Sequence, residues 1–248
     1  MTNTIEYDLI IVGSGLAGLR ATIQAARRNS KIRIAVVSKV QVMRSHSVSA
    51  EGGTAAVLFP EEGDSIESHI YDTVKGSDFL ADQDAAERLC KEMPDEIYQL
   101  EHWGMPWSRR EDGKLGQRAF GGYSFPRATY ASDKVGFFEM QTLYDTCQKF
   151  ENIEYLNEWF ATSIIHDGKR FMGLTAIELS SGTFYTIKGK ALIQLRKIGT
   201  DEVLDFYLDG DEPAYVDMPI WYTHNIKNLY YKNRRLKHRL NYAQLQPI

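Results

Sequence analysis

The sequence predicts an α/β chain: a parallel βαβ unit at its start, a β-meander set into the same sheet, then a short β-rich segment and a basic tail. Three observations predict it. The apolar run Leu9 to Val12 leads into three spaced glycines and an amphipathic stretch, and a second apolar run follows in "KIRIAVVSK". Beyond residue 152 the apolar period becomes two, with Asp167-Gly168 and Ser181-Gly182 at the turns. After Ile193 the composition changes abruptly: residues 201–217 carry seven acidic side chains and no basic one, and residues 227–239 carry six basic side chains and no acidic one.

The elements follow in order. An unbroken apolar run bounded by glycine marks a strand buried on both faces. The helix after it places Leu16, Leu19, Ile23 and Ala26 on one side and ends at Asn29-Ser30. From Asp64 the pattern is helical again, with Asp64 and Glu67 spaced as a capping box ahead of Ile66, Ile70 and Val74. A further helix is expected after Asp82, pausing at Pro94, which has no N–H to give, and resuming through Trp103. Residues 104–134, rich in glycine, arginine and aromatics, are expected to be a long loop without regular structure, either functional or disordered. Trp103 just before it and Trp107 within it serve packing, and Arg109, Arg110 and Arg118 are candidates to face an anionic ligand. Val135 to Phe150 is helical, with Phe138, Leu143, Cys147 and Phe150 in phase, and the meander ends in the apolar strand Ala191 to Ile193. This divides the chain into a domain over 1–193, a β segment over 194–228 and a tail over 229–248, with no internal repeat.

The totals exclude several classes. At 248 residues and 43% hydrophobic, the chain has material for one large or two small domains with a buried core. A net charge of −4 favours neither nucleic acid nor an acidic membrane surface. The tail interleaves tyrosine with basic residues, but reads as a solvated end that meets the acidic stretch, so no nucleic-acid partner is expected. No apolar run reaches the roughly 18 residues of a membrane span. The polar opening "MTNTIEYD" argues against a secretory signal, and Cys90 and Cys147, in separate helical segments, read as reduced structural thiols. A cytoplasmic protein is expected.

Gly13-x-Gly15-x-x-Gly18 lies between a strand and a helix, the context that a phosphate-binding turn requires. Gly13 permits the turn, Gly15 lets backbone approach a pyrophosphate, and Gly18 allows close packing. The N–H groups around Ser14, Leu16 and Ala17 point positive potential at the anion. An NAD site would carry an acidic residue about 20 positions on. Here the second strand ends Val37-Ser38-Lys39, where Ser38 suits a ribose hydroxyl and Lys39 a phosphate. Just beyond, Ser45, His46 and Ser47 precede Val48, Ser49, Ala50, Glu51 and the pair Gly52-Gly53. Gly52-Gly53 removes side chains where a flat ring would pass. A neutral imidazole there either hydrogen-bonds within the loop or attacks an electrophilic ring carbon; the residues alone leave both open.

"RSHSVSAEGG" resembles the flavin-attachment signature of the succinate dehydrogenase and fumarate reductase flavoprotein subunits, members of the FAD-dependent oxidoreductase 2 family. "HIYDTVKGSDFLADQDAAERLCKEMPDEIYQLEHWGMPWSRREDGKLGQRAFGG" and "DKVGFFEMQTLYDTC" extend the likeness, which covers about residues 5–193. The resemblance implies a Rossmann-like FAD-binding domain with covalent FAD on His46. It implies a cofactor bed of Gly13–Gly18, Ser38–Val40 and Ser45–Gly53, joined by Trp159, Phe160 and Ala161 at the adenine end. It further implies hydride exchange between a dicarboxylate (succinate or fumarate) and FAD. Electrons would pass to an iron–sulfur subunit, with membrane-anchor subunits holding the complex on the inner face of the cell membrane. The family's catalytic residues fall beyond Ile193, where this chain reads "QLRKIGTDEVLDFYL", so none is assigned.

Residues 194–228 resemble, more weakly, a cupin fragment of capsular polysaccharide and sugar-nucleotide enzymes, through Pro219, His224 and Asn228. One histidine does not make a metal site, and none is expected. Three readings stand: a flavoprotein oxidoreductase subunit, a non-catalytic FAD-binding fragment, and a sugar-nucleotide or cupin-type protein.

Overall fold

The computed structural model describes residues 3–166, 171–190, 193–197, 203–206 and 222–226. The chain forms two compact units, Met1–Val42 with Cys147–Ile248, and Met43–Thr146.

The first unit is built on a six-stranded sheet in the order β6-β2-β1-β9-β8-β7. Its strands are β1 (Asn3–Val12), β2 (Ile34–Ser38), β6 (Ile153–Asn157), β7 (Trp159–His166), β8 (Phe171–Glu178) and β9 (Thr183–Lys190). β6, β2, β1 and β9 run parallel, while β9, β8 and β7 form an antiparallel meander. The expected meander is therefore part of the same sheet, joined through β9 to the first strand. Helix α1 (Leu16–Arg28) connects β1 to β2 and buries Leu19, Thr22, Ile23 and Ala26. Leu9, Ile11, Ala26, Ile32 and Ile34 form one core cluster. Ile10, Ala35, Val37, Leu156, Leu174 and Ile187 form another. The central strands are thus covered on both faces, as their unbroken apolar runs require.

Ile193 opens a strand of its own: β10 (Ile193–Lys197) lies between β11 (Val203–Phe206) and β12 (Tyr222–Ile226), antiparallel to both. His224 sits in β12 opposite Leu195. Residues 191 and 192, Asp167-Gly168, Pro219, Asn228, the basic tail and most of the acidic 201–217 stretch lie outside the described residues.

The second unit contains α2 (Ile66–Gly76), α3 (Gln83–His102), most of α4 (Val135–Cys147), and a small sheet, β3 (Thr54–Ala55), β5 (Ala128–Thr129), β4 (Gln117–Arg118). Three expectations are corrected here. The cap of α2 is Ser65, not Asp64: the Ser65 hydroxyl accepts from Ser68 N at 3.1 Å. Asp64 is drawn off by Arg127, which donates to both of its carboxylate oxygens at 2.6–3.0 Å. Helix α3 does not pause at Pro94 but runs unbroken from Gln83 to His102. Cys90 and Ile97, both fully buried, pin it on either side of the proline, so burial outweighs the lost backbone bond. We expect Pro94→Ala to raise the midpoint of thermal unfolding, worth up to about 3 kcal/mol in helix propensity; an unchanged midpoint would show that the helix is already relaxed around the ring. Finally, residues 104–134 are not structureless. They hold β4, β5 and an isolated Arg109–Leu115 bridge, because Met105, Trp107, Leu115 and Ala131 bury their side chains in the unit's core. Trp107 accordingly serves packing, 5% exposed with its indole N–H on Ile97 O.

Candidate functional site

In the first unit the glycine turn is tied to the second strand. Gly13 N donates to Val37 O at 2.8 Å, and the Ser14 and Ser38 hydroxyls are 2.7 Å apart and buried. Gly13 has φ +106°, which favours glycine, and a Cβ on Gly18 would stand 1.9 Å from Gly13 O. The turn thus closes only if position 18 has no side chain. Helix α1 starts at Leu16 with no side-chain cap and no acidic residue in its first turn, leaving its positive end for an outside anion. Lys39 is exposed and Val40 half-buried just past β2.

The end of β6 lies beside that of β2, with Asn157 opposite Ser38. Asn157 Oδ1 is buried without a partner among the described residues, a feature that nothing in the sequence signals. Glu158 follows at φ 62°, then Trp159, Phe160 and Ala161 begin β7, the edge strand. The Trp159 side chain is committed to the core, its ring 4.4 Å from that of Tyr185, and Phe160 is exposed. What this strand end has to offer a ligand is its backbone.

In the second unit Ser45–Gly53 is a shaped loop, with a 3-10 turn at His46–Ser49. Val48 N donates to Ser45 O, Ala50 N to Ser47 O, and the Ser49 hydroxyl to His46 O at 2.7 Å. The His46 ring is exposed. Helix α4 is the loop's bed. Gly136 N donates to Ala50 O at 2.8 Å, and a Cβ on Gly136 would stand 2.1 Å from Ser47 O. One turn on, Met140 Sδ accepts from the Ser45 hydroxyl at 3.6 Å, and Glu139 accepts from the Thr54 hydroxyl. Positions 136, 139 and 140 share one helix face, so a single stripe of α4 holds both ends of the loop.

The far side is clamped by Arg118, which donates to Glu51 O at 2.8 Å and to Gly52 O at 2.9 and 3.1 Å, and stacks over Tyr130 at 4.7 Å. Gly53 has φ +127°, and a Cβ there would meet Thr129 O at 2.9 Å. Arg109 is paired with Glu101, and Arg110 with Glu62 at 2.9 Å. The three arginines expected to face an anion are therefore all engaged by protein partners. The sequence pointed to His46 and the glycines but missed Gly136, Glu139, Met140 and the clamping role of Arg118.

Residues 8–205 match the family model described as FAD binding domain.

This chain belongs to the FAD binding domain family.

Among its curated relatives, the fumarate reductase flavoprotein subunit of Mycobacterium tuberculosis (strain CDC 1551 / Oshkosh) is 46% identical over 190 residues, covering 77% of this chain and 32% of the relative. The succinate dehydrogenase flavoprotein subunit of Coxiella burnetii is 39% identical over 200 residues, covering 76% and 33%. The quinol fumarate reductase FrdA of E. coli superposes with a TM-score of 0.72 at 45% identity, covering 76% of this chain and 32% of that one. The chain thus spans about a third of the length of these relatives. Residues 178–236 match a second model, Polysaccharide biosynthesis C-terminal domain, which overlaps the FAD binding domain match over 178–205.

The residues of this FAD binding domain fit the cofactor. The closed Gly13–Gly18 turn and the uncapped α1 terminus suit a pyrophosphate, and the orphaned Asn157 Oδ1 beside Ser38 suits a hydroxyl donor. Among the described residues no helix is long and apolar enough to cross a membrane.

Proposed function

We propose that this chain supplies the FAD-binding part of a succinate dehydrogenase or fumarate reductase type flavoprotein. The observation that carries the reading is the loop Ser45–Gly53: an exposed histidine on a 3-10 turn, held by α4 below and by Arg118 at its glycine end. Bound FAD supplies the acceptor or donor of a hydride exchanged with a dicarboxylate. In this reading Gly13–Gly18 receive the pyrophosphate on backbone N–H groups. Ser38, Lys39 and Val40, with the backbone of Trp159–Ala161, hold the adenosine end. His46 forms the covalent bond to the flavin, and Gly52-Gly53 leave room for its rings. Arg118 acts through the carbonyls of Glu51 and Gly52, keeping that segment fixed. The partners in this reading are an iron–sulfur subunit and membrane-anchor subunits, which would place the protein on the inner face of the cell membrane.

A second reading is favoured by the family match over residues 178–236, which runs beyond the end of the FAD binding domain match at residue 205. In it this chain holds FAD but turns over no dicarboxylate by itself, because no catalytic residue of the flavoprotein lies within 1–193. Residues 1–193 as the FAD domain and 194–228 as a separate β segment is the division that goes with it.

Mass spectrometry of the proteolytic peptide that contains His46 tests the first part. We expect the mass of FAD added to that peptide, and colour that stays on the band in a denaturing gel. An unmodified peptide from folded, FAD-supplied protein would overturn it. Dye reduction with succinate separates the two readings: none is expected from this chain alone, and steady turnover would sink the second.

A further inference from the structure

Glu139 is a carboxyl group in an unusual place. It lies on α4 between the two residues that support the histidine loop, is 5% exposed, and has no ion-pair partner among the described residues. Its only partner among the described residues is the Thr54 hydroxyl, which donates to one of its oxygens and leaves the other without a protein partner. Thr54 directly follows Gly52-Gly53 and pairs with Thr129 across the small sheet. The titratable side chains of the supported loop, Arg44, His46 and Glu51, are exposed, and neither they nor Arg118 in the small sheet, Arg127 just before β5, or Lys134 and Asp145 around α4 is among the groups that act on the Glu139 charge. Burial pushes its carboxyl up from the ordinary carboxylate value, opposed only by the Thr54 hydrogen bond. A carboxylate so placed has little to stabilise its charge, and a proton on the second oxygen removes that charge.

We propose that Glu139 is a proton-carrying positioning residue: it fixes Thr54 beside Gly53, and takes up one proton when a flavin held on that loop gains two electrons. The inference rests on the reading of Ser45–Gly53 as the flavin loop. The physical argument is linkage. Electrons added to a flavin raise the negative charge near Thr54 and so raise the proton affinity of a neighbouring carboxyl group in a weakly polarisable site. In the pH range between the two affinities, each reduction takes one additional proton from solvent onto Glu139. The two electrons come from the reductant used in the titration, and the flavin's own protons come from solvent as usual.

The experiment is a potentiometric titration of the flavin-loaded full chain, followed by flavin absorbance from mildly acidic to alkaline pH. One proton linked to a two-electron couple adds about 30 mV per pH unit to the slope of potential against pH. Wild-type protein is expected to show up to that much additional slope in part of the range. Glu139→Gln keeps an acceptor for Thr54 but cannot ionise, and is expected to lose the additional slope and hold the higher potential at alkaline pH. Glu139→Leu, which also frees Thr54, is expected to lose the slope and some flavin loading besides. Parallel lines for wild type and Glu139→Gln would overturn the coupling. Infrared spectroscopy of the apoprotein across the same pH range supplies a readout independent of loading: a protonated-carboxyl band that is present at mildly acidic pH and fades as the pH rises is expected in wild type and absent in Glu139→Gln, and its absence from wild type at every pH would overturn the proposal. Protein that shows the band but carries no flavin on its His46 peptide would sink the flavin reading and the coupling with it, while leaving the buried proton in place. The two failures are therefore distinguishable.

Discussion

Gly136→Ala is expected to abolish covalent flavin on His46 while leaving the helical signal of the protein intact. Within a helix that exchange normally stabilises by about 1 kcal/mol. Here the new Cβ would stand 2.1 Å from Ser47 O and 2.9 Å from both Ala50 N and Ala50 Cβ. Those are mainly backbone atoms, so they cannot swing aside as the end of a long side chain would. Either the loop lifts off α4 or the helix shifts, and overpacking of this kind costs about 1–3 kcal/mol, more than the propensity gain. Lifting also breaks the Gly136 N to Ala50 O bond, one of the ties that shape the His46 turn. Gly76→Ala, at the last residue of α2 with nothing within 4 Å of its Cβ, is the control and should behave as wild type. The measurement is flavin fluorescence on a denaturing gel, normalised to protein. Normal loading in Gly136→Ala would mean that the loop does not need this bed.

The largest effect on stability is expected at Arg127. Its side chain is fully buried, paired with Asp64 and Asp72 and donating to the Ser68 hydroxyl at 2.8 Å. Asp72 also receives the N–H and hydroxyl of Ser124 at 2.8 and 2.7 Å, which ties the segment before β5 to α2. Arg127→Met removes the shared cation and leaves two carboxylates in a dry site, so destabilisation of about 3–5 kcal/mol is expected at neutral pH.

The pH dependence gives the argument its sign. In the wild type Asp72 titrates below its ordinary value: burial opposes this, but the Ser124 and Arg127 hydrogen bonds outweigh it. A folded value below the unfolded one contributes stability above the ordinary carboxylate range, and that stability is lost as the pH falls through the folded value. In Arg127→Met the two Ser124 hydrogen bonds remain but the cation is gone, so Asp72 is held less far below its ordinary value than in the wild type. The variant should therefore lose less stability on acidification than the wild type, and the two curves of unfolding free energy should converge at low pH. A deficit that stays constant with pH would mean that the loss comes from packing and not from charge. Replacing Arg127, Asp64 and Asp72 together by apolar residues of similar volume should restore much of what the single change removes.

Much of this architecture was legible from local pattern. Leu9 to Val12, the three glycines and "KIRIAVVSK" state a parallel βαβ unit, because strand burial, turn conformation and helix periodicity are each set within a few residues. The alternation after residue 152 states the meander, and His46 with Gly52-Gly53 marks the loop of interest. Reading failed where a side chain had a choice of partners. Asp64 had the spacing of a cap, yet Arg127, 63 positions away in the chain, takes it. Pro94 had the chemistry of a break, yet the burial of Cys90 and Ile97 carries α3 through it.

By itself, then, the sequence determined the order of elements, the closed glycine turn and the histidine loop, all of which follow from short-range sterics and periodicity. Only the tertiary structure decided what holds that loop: Gly136, Glu139 and Met140 below it and Arg118 beside it. Ser45 and Met140 are 95 positions apart, and Thr54 and Glu139 are 85 apart. No local pattern encodes such a pairing, since the contact energy appears only once the helix has packed against the loop.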